Sequence, residues 1–251
     1  MVEIYRRRIQ IAPVGFEVDR VVIPAIREKA EKVYLMVHKD RSKDKATKYA
    51  AAIQRKLKAK NIETELVYCD WENIEEITRV ARDLILKESS NEVAINLASG
   101  SKNHAIGLDR ACMTFRKRKH IHPFYPEAEK WTAWKYPKQQ STGVKKIKQI
   151  PIHRIIVPEP ELVIALKAIK QDAVDIPMHK GKKGVKKKDL AKSLYGDSSK
   201  VNLTKLQRNI TQKLEKTWRA VEIIQVGQSD WISLTDEGKY LRYVLKHEET
   251  Y

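Results

Sequence analysis

A chain of 251 residues is long enough for two ordinary domains, each burying its own core. Apolar residues make up 42% and charged residues 33%, and no run approaches the roughly 18 apolar residues of a membrane span, so the sequence reads as globular and not membrane-embedded. Its 50 Lys and Arg outnumber 32 Asp and Glu to give a net charge of +18, which points to an anionic partner, most often nucleic acid. A wealth of Lys and Glu also suits a thermophile, but that accounts for the number of charges and not for the excess of one sign.

The opening "MVEIYRRRIQIAPVGF" puts arginines before an apolar stretch too short for a signal-peptide core, and reads as the approach to a first strand. "RIQIAPV" (8–14) is that strand, and a helix follows over 19–30. "KVYLMVHK" (32–39) predicts the second strand, and Ala46, Ala50, Ile53 and Leu57 at helical spacing predict a helix from about 43 to 60. "IETELVYC" (62–69) alternates as a strand, 74–88 is helical, "EVAINLA" (92–98) is a fourth strand and 102–117 a fourth helix. Four β-α units in succession predict an α/β, Rossmann-like parallel sheet with helices on both faces. The two cysteines, Cys69 and Cys112, provide neither a disulfide scaffold nor a zinc ribbon; they fit a reduced, cytoplasmic setting and simple burial.

The rhythm then breaks. "HIHPFYP" and "EKWTAWKYP" predict two short strands, and a loop near "KQQSTG" leads to a further strand or dimer arm in "VKKIKQIPIHRII". Trp131, Trp134 and Tyr136, in "EKWTAWKYP", lie at a dimer interface or in local packing. Pro158 and Pro160 mark the end of a first domain at 1–157. The remainder, 158–251, predicts a helix in "PELVIALKAI", a second over 186–196 closed by Gly196, and a third over 199–218 with Leu203, Leu206, Ile210 and Leu214 on one face. A strand, a turn at 227–230, a second strand and a last helix capped by Thr235 complete the order of a winged helix-turn-helix.

Between 180 and 219 there are 13 Lys and Arg against 3 Asp and Glu, on the second and third helices and the loop before them. That is where a helix-turn-helix meets phosphates and enters the major groove of double-stranded DNA. Lys182, Lys183, Lys186, Lys187 and Lys188 are the candidate backbone contacts. Asn202, Thr204, Lys205, Arg208, Asn209 and Gln212 on the third helix are the residue types that read base edges. The wing tip near Gln228 is placed to reach the minor groove.

In an open parallel sheet, ligands bind beyond the carboxyl ends of the strands where strand order reverses. For an order 3-2-1-4 the loops there are "GFEVDR" (15–20) and "ASGSK" (98–102). Gly15 permits a tight turn, while Ser99, Gly100, Ser101 and Lys102 offer hydroxyls, backbone amides, a helix start and an ammonium, the parts of an anion cradle. Neither loop is a P-loop or a dinucleotide fingerprint. No catalytic residue and no metal site are assigned. His104, at a helix start, is as apt to face solvent as to serve as a base, and His120 and His122 lack further ligands.

A fourth strand running into "NLASGSK", with a first-strand loop "VGFEVDR" and a C-terminal winged helix, resembles the archaeal transcriptional regulators built on a CRISPR-associated Rossmann fold (CARF) domain. The resemblance implies a homodimer with a pocket across its two-fold axis, lined by Gly15, Phe16, Glu17, Asn96, Ser99, Gly100, Ser101 and Lys102. It implies no cofactor, and as effector a cyclic oligoadenylate, commonly cyclic tetra-adenylate, made in antiviral defence. Ser101 departs from the family's frequent second glycine, and Glu17 in the pocket would repel phosphate unless it bonds a ribose hydroxyl or an adenine amine. The alternatives are a ring nuclease that cleaves the same ligand, and a winged-helix regulator whose Rossmann domain only dimerises.

Overall fold

The computed structural model describes residues 5–115, 119–132, 138–151 and 157–245. The chain divides into two compact units, Met1–Ile156 and Val157–Tyr251. Among the described residues no helix is long and apolar enough to cross a membrane.

The first unit runs β1 (Arg8–Pro13), α1 (Asp19–Arg27), β2 (Lys32–His38), α2 (Thr47–Lys58), β3 (Glu63–Cys69), α3 (Ile74–Lys87), β4 (Glu92–Asn96), α4 (Lys102–Met113), β5 (Ile121–Trp131), β6 (Ser141–Gln149). Its six strands form one sheet in the order β3-β2-β1-β4-β5-β6, parallel except for the last pair, which makes this a Rossmann-like α/β unit. The strands are apolar on both sides because helices cover both. Ile9 and Ile11 of β1, with Tyr34, Met36 and Ile95, pack beneath α3 and α4 against Ile77, Ile85 and Leu108. Ala12, Val33, Leu35 and Val37 face the other way, onto Val21, Ile53 and Leu57 of α1 and α2.

One polar contact ties these layers together. Pro24 lies inside α1 and has no N–H to give the Arg20 carbonyl one turn back. The Asn96 side chain at the end of β4 donates to that carbonyl instead, at 2.8 Å. Gln10, buried in β1, likewise donates to the Val21 carbonyl at 3.1 Å.

Several elements differ from the sequence expectation. The two short strands expected after residue 120 are one strand, β5, with a bulge between Glu127 and Ala128. Its first half pairs with β4 and its second with β6. Pro123 and Pro126 interrupt nothing because their carbonyls still accept, from the Ile150 amide and from Arg20 Nε. α2 begins at Thr47, not near 43, because Asp40 and Asp44 turn the chain by accepting from the amides of Ser42 and Ala46. α1 stops at Arg27 and α4 at Met113. Trp134, Tyr136 and the expected arm residues at 152–156 lie outside the described residues.

The second unit runs α5 (Pro160–Gln171), β7 (Val174–Asp175), β8 (Lys183–Lys186), α6 (Lys187–Tyr195), α7 (Lys200–Leu206), β9 (Val221–Val226), β10 (Ser229–Leu234) and α8 (Asp236–Val244). The four strands form an antiparallel sheet, β7-β8-β10-β9. Leu162, Leu166, Leu190, Leu206, Ile210, Leu214 and Ile232 share its core. Gly196 closes α6 in the left-handed region, φ 88°, and Thr235 caps α8 by accepting from the Gly238 amide.

The segment read as a basic loop contains β8, whose Val185 pairs with Ile232, so Lys183 and Lys186 sit on a strand. The third helix is not uniform: beyond Leu206 it continues through π-helical turns at Gln207–Thr211 and Lys213–Thr217. The buried Thr211 hydroxyl donates back toward the carbonyls of Leu206 and Gln207, competing with regular i to i+4 bonding. The β9–β10 turn is the two residues Gly227 and Gln228.

Candidate functional site

β1 lies between β2 and β4, so the strand order reverses where β1 meets β4. The loops leaving these two strands touch. A Cβ built on Gly15 would stand 2.7 Å from the Gly100 amide nitrogen and 2.9 Å from its Cα, so the two backbones run in contact. Gly100 has φ +82°, and its own Cβ would meet Pro13 at 2.8 Å. Both positions therefore require glycine.

The two helix starts beside this contact are finished differently. α1 has no cap of its own, and Gln139, on the approach to β6, supplies one. Its Oε1 accepts from the amides of Val18 and Asp19 at 3.0 and 3.1 Å, and its Nε2 donates to Asp19 at 2.9 Å. Burial pushes the Asp19 carboxyl up, but hydrogen bonds from the Gly143 amide, Gln139 and Lys56 outweigh it and hold the group below its ordinary value. The amide of Gln140 donates to the Phe16 carbonyl, and the Tyr49 hydroxyl, on a ring 5.5 Å from that of Phe16, donates to the Lys138 carbonyl.

α4 begins with a reciprocal cap. Ser101 Oγ accepts from the His104 amide, and His104 Nδ1 accepts from the Ser101 amide at 3.1 Å. His104 is therefore not at the solvent, as its position at a helix start allowed, but 0% exposed. Burial, aided by the charge of His38, drives its pKa down to about 4, so it is neutral. With Nδ1 accepting, the ring proton sits on Nε2, which is buried and has no hydrogen-bond partner among the described residues, as is true of the Ser99 hydroxyl. Trp71 packs edge-on between the rings of His38 and His104.

Of the eight ligand residues expected from the sequence, Gly15, Phe16, Ser99, Gly100, Ser101 and Lys102 lie at this junction, with Ser101 and Lys102 exposed. Glu17 and Asn96 lie beneath it. Glu17 is 5% exposed and takes both its oxygens to Arg20 Nη1, at 3.0 and 3.1 Å, with the Ser141 hydroxyl also donating to it. Its charge is met inside the chain, which removes the repulsion expected toward a phosphate. Asn96 spends its amide on the Arg20 carbonyl and its oxygen on the Ala98 amide. Arg20, 2% exposed, also donates from Nε to the Pro126 carbonyl and stands over the rings of Tyr125 and Trp131. The neighbouring β2–α2 loop adds exposed Lys39, Arg41, Lys43 and Lys45 at the same end of the sheet.

Sequence reasoning missed Gln139, Ser141 and Tyr49. No local pattern marks them, because each acts on a segment about a hundred residues or more away along the chain. A cavity of about 350 Å³ opens at the other end of the strands, lined by Arg8, Gln10, Glu92, His122 and Phe124, and none of the expected ligand residues lines it. There His122 is 2.7 Å from Glu92. Among the described residues no group of three or more His, Cys, Asp or Glu is placed to hold a metal ion.

In the second unit the expected basic residues are largely tied in place. Lys182 pairs with Glu222 at 2.9 Å and Lys187 with Asp230 at 3.5 Å, while Lys186 lies over the Trp231 ring. Lys183 and Lys188 are exposed. On the third helix Asn202 donates to Asp197, Thr204 donates to the Lys200 carbonyl, and Lys205 lies over Tyr195. Arg208, Asn209 and Gln212 are exposed.

Residues 8–131, just under half of the chain, match the family described as "HFX_2341_N:-like, N-terminal". The uncharacterised protein MJ1513 of Methanocaldococcus jannaschii is 28% identical over 188 residues, 65% of this chain. The chain spans only 56% of that relative's length. Among solved structures, Can2 from Sulfobacillus thermosulfidooxidans in complex with cyclic tetra-adenylate is similar over 92% of this chain and 77% of its own, at 11% identity and TM-score 0.41. Protein VC1899 from Vibrio cholerae is similar over 94% and 65%, at 14% identity and TM-score 0.41. Csm6 of Enterococcus italicus bound to cyclic hexa-2'-fluoro-hexa-dAMP is similar over 52% and 36%, at 13% identity and TM-score 0.39. Each is a likeness of chain path alone.

Proposed function

We propose that this protein is a ligand-responsive regulator that binds double-stranded DNA as a homodimer, and that its first unit senses a cyclic oligoadenylate. The observation that carries the reading is the backbone contact of Gly15 with Gly100 where the strand order reverses, at the end of the sheet that also carries exposed Lys102 and the basic β2–α2 loop. A phosphate of the ligand meets the α4 side, through the Lys102 ammonium and the amides of Lys102 and Asn103, which the cap does not use. The α1 side is closed to an anion by the Gln139 cap and contributes the Phe16 ring and its backbone. Adenylate as the base follows from the resemblance of "NLASGSK" and "VGFEVDR" to CARF loops.

The DNA-binding half of the reading is supported by the order α5, β8, α6, α7, β9, β10, which is that of a winged helix-turn-helix, and by the basic run from 180 to 219. Ligand occupancy in a dimer sets the spacing of two recognition helices, and so the affinity for paired half-sites. Cleavage of the ligand is not part of the proposal: His104, the imidazole nearest the loops in sequence, is buried with Nδ1 committed to a helix cap.

The test is thermal melting of the full chain with cyclic tetra-adenylate, cyclic hexa-adenylate and linear tetra-adenylate, beside duplex DNA binding with and without each. A ligand at a hundredfold excess over its Kd stabilises by about 2.7 kcal/mol, an upward shift of several degrees. A shift with a cyclic and not with the linear ligand, and a changed DNA affinity, is the expected result. No shift with either cyclic ligand overturns the sensor and leaves a regulator whose first unit only dimerises.

A further inference from the structure

The sequence marks six residues of the third helix as able to read bases, and the structure does not leave all six equal. The helix buries Leu206, Ile210 and Leu214 along one stripe and exposes 204, 205, 208, 209, 212 and 213 on the other side. Several polar side chains of the helix are already engaged within the unit. Asn202 Nδ2 donates to Asp197 at 2.8 Å, and the Thr204 hydroxyl donates to the Lys200 carbonyl at 2.8 Å. Lys205 Nζ stands 4.7 Å from the Tyr195 ring centre, and Lys213 pairs with Glu159 at 3.5 Å. Arg208, Asn209 and Gln212 make no side-chain hydrogen bond or ion pair among the described residues.

We infer that Arg208, Asn209 and Gln212 are the residues that set DNA sequence preference, an assignment that rests on the DNA-binding reading above. The chemistry of the three is that of major-groove readout. A guanidinium donates two parallel hydrogen bonds to guanine O6 and N7, and a carboxamide both donates to and accepts from adenine N6 and N7. Arg208 and Gln212, four residues apart, share one face of the helix, with Asn209 next to Arg208. The recognised site therefore contains a guanine read by Arg208 and an adjacent adenine read by Asn209 or Gln212. Lys182, Lys186 and Lys187, held against Glu222, Trp231 and Asp230, act on phosphates and not on bases.

The experiment selects preferred duplexes from a randomised library with the full chain, then measures their affinity against scrambled duplex over a salt series. The variants are Arg208→Lys, Asn209→Ala and Gln212→Ala, with Lys182→Ala as the phosphate control. Arg208→Lys keeps the charge but not the bidentate fork, so it discriminates reading from simple attraction. The expected result is a loss of roughly tenfold to hundredfold discrimination at one guanine for Arg208→Lys, and at an adenine for at least one carboxamide variant, with the salt slope unchanged. Lys182→Ala should weaken all duplexes alike and lower the salt slope by about one. If the wild-type chain selects a sequence and all three variants keep the same preference, the assignment is wrong while the regulator stands. If the wild-type chain binds no duplex, the DNA-binding reading fails and the assignment falls with it.

Discussion

Asn96 donates its side-chain amide to the backbone carbonyl of Arg20 at 2.8 Å, and this replaces the helical hydrogen bond that Pro24 cannot make. A carbonyl buried in α1 is thereby satisfied from β4, the strand that leads into the candidate ligand loop. Removing the donor strands that carbonyl, so Asn96→Ala is expected to cost about 1–3 kcal/mol. In Pro24→Ala the helix can bond its own carbonyl, and the same Asn96→Ala change should then cost less. Urea unfolding of the four proteins in this cycle measures the coupling.

The contact of Gly15 with the Gly100 backbone leaves no room for a Cβ on Gly15. Gly15→Ala puts a methyl 2.7 Å from a backbone nitrogen, where neither partner is a flexible side chain. The expected loss is about 1–3 kcal/mol of stability from overpacking, with loss of any melting shift given by a cyclic oligoadenylate. Gly181→Ala, which meets nothing within 4 Å but has φ +80°, should show a smaller, purely backbone effect and keep the ligand response.

The junction was legible where its chemistry is local. "ASGSK" shows a glycine between hydroxyls at a helix start, and the four β-α repeats place it at the reversal of strand order. What could not be read is what lies beneath. Glu17 looks like a ligand residue because "VGFEVDR" resembles a CARF loop, yet Arg20 one turn later and Ser141 from the far strand consume it. The strand β8 was hidden by the lysines around it, since a strand of only four residues, paired with both β7 and β10, leaves only Val185 as an apolar signature. The π-helical turns of the third helix are a matter of backbone hydrogen bonding, which side-chain periodicity does not report.

His104 makes stability depend on pH in a definite direction. Its folded pKa, about 4, is below the ordinary imidazole value of about 6.5, so between these values the unfolded chain binds more protons. The contribution is present above pH 6.5, falls as pH drops toward 4, and is on the order of 3 kcal/mol in all. Gln at the third helical position also completes a cap with Ser101. His104→Gln should therefore keep the helix start and flatten this part of the curve. Unfolding free energies of both proteins from pH 4 to 7.5 give the comparison; parallel curves would remove the imidazole from the account.

Glu17 and Arg20 form an ion pair that is almost wholly out of solvent. Glu17→Gln keeps the shape of the side chain but leaves the guanidinium without its counter-charge. Breaking a buried pair from one side costs about 3–5 kcal/mol, so this variant should melt well below the parent protein. The loss should appear equally with and without ligand, since Glu17 faces Arg20 and Ser141 and not the exposed junction.

The cap on α1 comes from Gln139, and this sets a clock on the protein's maturation during synthesis. Residues 8–96 already hold four parallel strands and three helices, enough to begin collapsing as they leave the ribosome. The first of the two loops stays unfinished until position 141 has been made, because the groups that close it, Gln139, Gln140 and Ser141, are on the far side of the last hairpin. Loop closure over such a separation is slow and entropically costly. A nascent chain thus carries four of its six strands well before the start of α1 is capped and the candidate site is closed.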